Sequence, residues 1–152
     1  MIELVAMRPN DPRYNMFPLA EAPYLNATLN YVIARSPISD PKARYDNAVK
    51  KQRPNLIHNS ETYFNPWDSI HEANPQEILD RGEPAVLVPM LVLQGAMDDN
   101  VMPETQAHFV DTYRTAGGEI DFEVFSGADH RWIILPSPQT DRAIEMIKEY
   151  IA

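Results

Sequence analysis

Apolar residues recur along this chain in three patterns, and each predicts a different element. Met90 to Leu93 is a short unbroken apolar run that stops at Gly95, which suits a strand buried on both faces of a parallel sheet. Glu119 to Phe125 alternates apolar and acidic residues, the pattern of a half-buried strand. Between the two, Pro103 opens and Gly117-Gly118 closes a helical pattern from Glu104 to Ala116. Strand, helix, strand at these lengths is a crossover unit, and such units join parallel strands. Near the carboxyl end a helix is predicted over 137–151, capped by Ser137 with Pro138 at its first position. Ala143, Ile144, Ile147, Tyr150 and Ile151 recur there at helical spacing and should pack on a sheet face.

Upstream, Asn30 to Ser36 favours strand and is the candidate first strand. Asp40 can then cap a helix that begins at Pro41 and runs to Gln52, with Ala43, Tyr45, Ala48 and Val49 turned inward or partly so. Leu56 to Phe64, Trp67 to Ala73 and Pro75 to Arg81 read as three more short helices, broken by Pro66 and Pro75 and ended by Gly82. Residues 41–84 therefore form a helical insertion between two strands, longer than an ordinary connection. Met1 to Met7 is less than two turns of helix without a cap, too short to be stable unless it packs or continues upstream. The expected fold class is α/β: a small, mostly parallel sheet flanked by helices, in one domain at most.

Charge and composition narrow the function. A net charge of −9 with a pI near 4.8 argues against nucleic acid or an anionic membrane surface as partner. With no cysteine there is no disulfide framework, no zinc ribbon and no thiol nucleophile. No apolar run approaches the ~18 residues of a membrane span, and the amino end lacks the layout of a signal peptide, so a soluble cytoplasmic protein is expected. Fourteen prolines, roughly twice the average share, punctuate many short elements rather than form a disordered tail.

The crossover unit has a chemical consequence. Parallel strands point their carboxyl ends at one rim, where ligands bind. Asp98 follows the first of the two strands and His130 follows the second, so both are expected on that rim. There they could act as orienter and general base, the carboxylate holding the imidazole in one tautomer. Each residue also has a plain structural reading: Asp98-Asp99-Asn100 could simply cap the next helix, and His130 could be a hydrogen-bonded loop residue. A metal site built from Asp98, Asp99 and Asp129 lacks any accompanying histidine pair at ligand spacing. His58, His71 and His108 sit in helical segments without such partners. Ser36, Ser39, Ser60, Ser69, Ser126 and Ser137 all lack a strand–Gly-x-Ser-x-Gly–helix setting, and Ser39, just beyond a strand end, is the least implausible of them.

Gly95-Ala-Met-Asp98-Asp-Asn-Val101 resembles the acid loop of α/β-hydrolases, and Gly127-Ala-Asp-His130 resembles their histidine loop. The likeness covers most of the chain and is to the carboxy-terminal half of the esterase/lipase branch. It implies Asp98 as triad acid and His130 as triad base, with Asp99 at a non-catalytic position, and it implies no cofactor and no metal. The reaction implied is hydrolysis of a small-molecule carboxylic ester through an acyl-serine. It also implies that Met1 to Met7 is the tail of the helix after the nucleophile, which would lie upstream. The insertion at 41–84 would help cover the site, with Tyr63, Phe64 and Trp67 lining an acyl or alcohol pocket; packing of these rings against the body is the simpler alternative. A prolyl-oligopeptidase-type serine peptidase has similar loops, and a non-catalytic fragment pairing with a complementary amino-terminal half or a second copy is a third reading. The exposed edge expected beside the first strand would favour such pairing. Without a nucleophile or a glycine-rich oxyanion hole, little or no esterase activity is expected of these 152 residues alone.

Overall fold

The computed structural model describes residues 2–14, 20–21 and 28–152. Among these residues three parallel strands, β1 (Val32–Arg35), β2 (Met90–Gly95) and β3 (Ile120–Phe125), lie in the order β1-β2-β3. Val32 is opposite Met90 and Met90 opposite Ile120, so the strands start level and all end at one rim. Helix α1 (Ile2–Met7) precedes β1. Helices α2 (Pro41–Lys50), α3 (Pro54–Tyr63), α4 (Ser69–Glu72) and α5 (Pro75–Asp80) connect β1 to β2. Helix α6 (Pro103–Thr115) connects β2 to β3, and α7 (Pro138–Ile151) closes the chain after a single 3₁₀ turn, Trp132–Ile134. The elements agree with the hydrophobic pattern to within about two residues at most ends, as local patterning should allow.

All six residues of β2 are buried, because both faces of the sheet are covered. Met90 and Val92 point to one side, where Leu4, Met7, Ile78, Phe109 and Tyr113 from α1, α5 and α6 enclose them. Leu91 and Leu93 point to the other, against Phe125, Trp132 and Ala143. The period of two along one strand thus builds two cores. Burying either face's side chains contributes roughly 1.5–3 kcal/mol per large residue, which fixes the register of the central strand.

Some apolar positions do not behave as their spacing predicts. Val49 is 47% exposed, because α2 packs on α3 and α4 and has one buried face, that of Ala48. On α7 the inward stripe is Ala143, Met146, Ile147 and Tyr150, spaced three and four apart. Ile144 and Ile151 fall outside it and are about half exposed. Val124 is also exposed, on the outer strand of the sheet. Among the described residues β1 is paired on one side only. No helix of the described residues is long and apolar enough to cross a membrane.

Candidate active site

The turn after β2 and the turn after β3 are tied together by backbone. Ala96 N–H donates to the carbonyl of Phe125 at 3.0 Å and Met97 N–H to that of Ala128 at 2.8 Å. This approach requires Gly95: a Cβ there would lie 2.5 Å from the Ala128 oxygen and 2.8 Å from the Asp129 oxygen. Gly127, at φ +72°, supplies the left-handed residue that turns the second loop back. Asp98 and His130 are carried on these two joined loops.

His130 Nδ1 is 2.9 Å from Asp98 Oδ2. The other carboxylate oxygen, Oδ1, accepts the backbone N–H of Asn100 at 3.0 Å and of Val101 at 2.8 Å. The Asp98 side chain is fully buried and that of His130 is about one-third exposed, so the ring reaches from a dry anchor towards solvent. Burial alone would push the Asp98 carboxyl up. The Val101 N–H, His130, the Ser36 hydroxyl and the Asn100 N–H outweigh it and hold the group below its ordinary range. Ser36 acts here although its buried Oγ makes no hydrogen bond of regular geometry. The carboxylate is thereby ionised and fixed, an arrangement that can hold a proton on Nδ1 and leave Nε2 free to accept one. Among the described residues His130 Nε2 has no protein partner, and no serine hydrogen-bonds to the ring.

The neighbouring carboxylates have other roles. Asp99 is turned outward to an ion pair with Arg53, which separates it from the imidazole. Asp129 accepts the N–H of Arg131 at 2.7 Å within its own turn. Among the described residues no cluster of three or more His, Asp or Glu could hold a metal ion. Ser39 lies beyond the end of β1 but is buried, its hydroxyl donating to Glu3 Oε1 at 2.7 Å and accepting from Gln106 Nε2 at 2.8 Å. Among the described residues neither partner of the Ser39 hydroxyl is His130. Of the other histidines, His71 bonds to Glu77, and His58 and His108 face solvent.

The three aromatics of the insertion separate. Tyr63 and Phe64, in edge contact at 4.9 Å, stand on the wall of a cavity shared with Leu4, Ile38 and Pro41. Trp67 does not line that cavity; its ring packs against Tyr45 at 4.6 Å, which takes it to the outer side of the insertion. Two residues without any signal in the sequence support the site from β1. Arg35 Nη1 donates to the backbone carbonyl of His130 at 2.6 Å. Ser36 sits at φ 42° where β1 ends, a conformation a serine adopts only when its surroundings hold it there.

The family model described as the prolyl oligopeptidase family matches residues 25–152. The chain belongs to this family. Its three-stranded parallel sheet and flanking helices are a part of the α/β-hydrolase fold. It is similar in structure to an acylaminoacyl peptidase from Pyrococcus horikoshii, with a TM-score of 0.63 and 15% identity, over 85% of this chain and 20% of that one. It is also similar to the butyrate-bound esterase Est2 of the Planctomycetes species Thermogutta terrifontis, with a TM-score of 0.61 and 17% identity, over 98% of this chain and 50% of the esterase. The chain thus spans between a fifth and a half of these relatives. No curated protein matches it in sequence.

Proposed function

We propose that this prolyl oligopeptidase family chain supplies the acid, Asp98, and the general base, His130, of a hydrolase acting on small carboxylic esters, with the serine supplied from outside these 152 residues. The 2.9 Å contact between His130 Nδ1 and Asp98 Oδ2 carries the reading. His130 Nε2 takes the proton from the serine hydroxyl as its oxygen attacks the ester carbonyl, then gives that proton to the departing alkoxide. Water repeats the two transfers on the acyl-serine and releases the acid. Asp98 stays ionised throughout and stabilises the imidazolium formed between them. No metal or cofactor is needed for this sequence of steps.

Tyr63 and Phe64 are proposed to border the acyl side of the substrate. A second reading, hydrolysis of an acyl-amide or peptide bond, is favoured by the family match and uses the same two residues. The test compares p-nitrophenyl butyrate with acetyl-alanine p-nitroanilide, using the polypeptide as the cell makes it. Ester turnover that falls about 10³–10⁴-fold in both Asp98→Asn and His130→Ala is expected. Amide turnover at a comparable kcat/KM assigns the peptidase reading instead. Full ester rate in His130→Ala removes His130 from the mechanism under either reading.

A further inference from the structure

The cavity bordered by Tyr63 and Phe64 has a volume of about 270 Å³ and lies where α1, the β1–α2 turn, α2 and α3 meet. Its walls are mainly apolar, from Leu4, Ile38, Pro41, Tyr63 and Phe64. At the ~30 Å³ that one water occupies in the liquid, the space takes about nine non-hydrogen atoms. One charged side chain lines it, Arg44 of α2. Arg44 Nε donates to Asn100 Oδ1 at 3.0 Å, and Asn100 N–H in turn donates to Asp98 Oδ1 at 3.0 Å. A single residue therefore separates the guanidinium from the acid of the pair.

Among the described residues neither terminal nitrogen of Arg44 has a hydrogen-bond partner or an ion pair, while most other arginines of the insertion and its surroundings are paired, Arg53 with Asp99 and Arg81 with Glu77 and Glu83. Burial disfavours the charge on Arg44, and the nearby Asp98 offsets this in part. That carboxylate is already engaged by His130 and two backbone N–H groups, so it does not close on the arginine. A half-buried cation with free forked donors, at an apolar cavity, is matched by a planar anion on a short aliphatic stem.

Resting on the hydrolase reading above, we propose that this cavity binds a short aliphatic chain ending in a carboxylate, and that Arg44 reads that carboxylate. The ligand class is then a short aliphatic carboxylate, such as a half-ester of a short dicarboxylic acid, with its free carboxylate at Arg44. An acidic amino-acid side chain presents the same chemistry.

The 152-residue chain is titrated with monomethyl glutarate, the neutral diester dimethyl glutarate, and N-acetyl-glutamate amide, following the methyl resonances of Leu4 and Ile38. Monomethyl glutarate is expected to bind at least about tenfold more tightly than the diester. Arg44→Met should abolish that preference and Arg44→Lys should keep part of it, with unshifted core methyls reporting an intact fold. Equal binding of the two esters by the unaltered chain overturns the proposal, as does a preference that survives in Arg44→Met. Should Arg44→Met not fold, the unaltered chain against Arg44→Lys decides, since loss of fork geometry must weaken the anion and not the diester. Tighter binding of N-acetyl-glutamate amide than of monomethyl glutarate supports the site and names an acidic peptide as its source. None of these readings involves turnover, so a failed preference leaves the hydrolase assignment standing, and an inert His130 leaves the anion site standing.

Discussion

Along β2 every residue from Met90 to Gly95 is buried, and the two loops that leave its rim and that of β3 are joined by paired backbone hydrogen bonds. The insertion from α2 to α5 is built differently. It leaves Val49 47% and Tyr63 64% exposed, and its helices pack largely on one another. The pair Asp98 and His130 belongs to the first region, and the walls of the Arg44 cavity belong mostly to the second. Proton transfer needs two groups held at a fixed separation, which a doubly covered strand provides. Recognition of a substrate tolerates, and uses, a less densely anchored wall. The contrast separates the residues expected to control stability and catalysis together from those expected to control binding alone.

The rim is expected to be most sensitive at Gly95. An added methyl there meets the Ala128 and Asp129 carbonyl oxygens, both backbone, at distances that nothing short of loop movement relieves. Gly95→Ala is expected to destabilise the fold by roughly 3 kcal/mol, the upper end of overpacking costs. The proton on His130 Nδ1, visible by NMR when held by Asp98, should also be lost from its usual downfield position. A variant of near-native stability with an unaltered His130 signal would show that the two loops are not interlocked as described.

A smaller effect lies in the body itself. Glu3 of α1 is buried, and burial pushes its carboxyl up to about 7, with the Ser39 hydroxyl opposing part of the rise. The folded state therefore binds a proton more tightly than the unfolded chain does. Stability from this group is complete below the ordinary value of 4.5 and is lost as pH rises through about 7. Between pH 5 and pH 8 the loss should be about 2.5 kcal/mol by urea denaturation, and Glu3→Gln should lose much less over that range. Equal pH dependence in the two proteins would remove Glu3 as the titrating group.

How much of this was legible follows from the range of each interaction. Asp98 and His130 could be placed on one rim because a strand, a helix and a strand in sequence determine where the two following turns lie. Asp40 and Ser137 were legible as caps because their partners, Ala43 N–H and Thr140 N–H, are three residues away. Arg35, Ser36, Arg44 and Glu3 carried no such signal. Their partners come from distant elements: His130 for Arg35, Asn100 for Arg44 and Ser39 for Glu3. Helical spacing alone also overstated burial at Val49, Ile144 and Ile151, since periodicity gives a face but not the width of what covers it. The acid and histidine loops do not separate an ester from a peptide substrate, because both branches carry similar loops, and the family match supports the peptidase reading equally.

The mildest test lies on the insertion, at Tyr63. The residue is 64% exposed and its ring touches Phe64 edge-on, so little apolar area leaves water when it folds. Tyr63→Ala should change stability by no more than about 0.5 kcal/mol, the range of ordinary surface substitutions. It nevertheless removes one wall of the cavity that Arg44 lines. Binding of monomethyl glutarate and dimethyl glutarate should therefore weaken together, by about threefold each, with their ratio preserved. Arg44→Met should do the opposite and change the ratio. If Tyr63→Ala instead cost stability on the scale of Gly95→Ala, the insertion would be part of the same rigid body as the sheet, and the division between a fixed catalytic rim and an adaptable binding wall would fall.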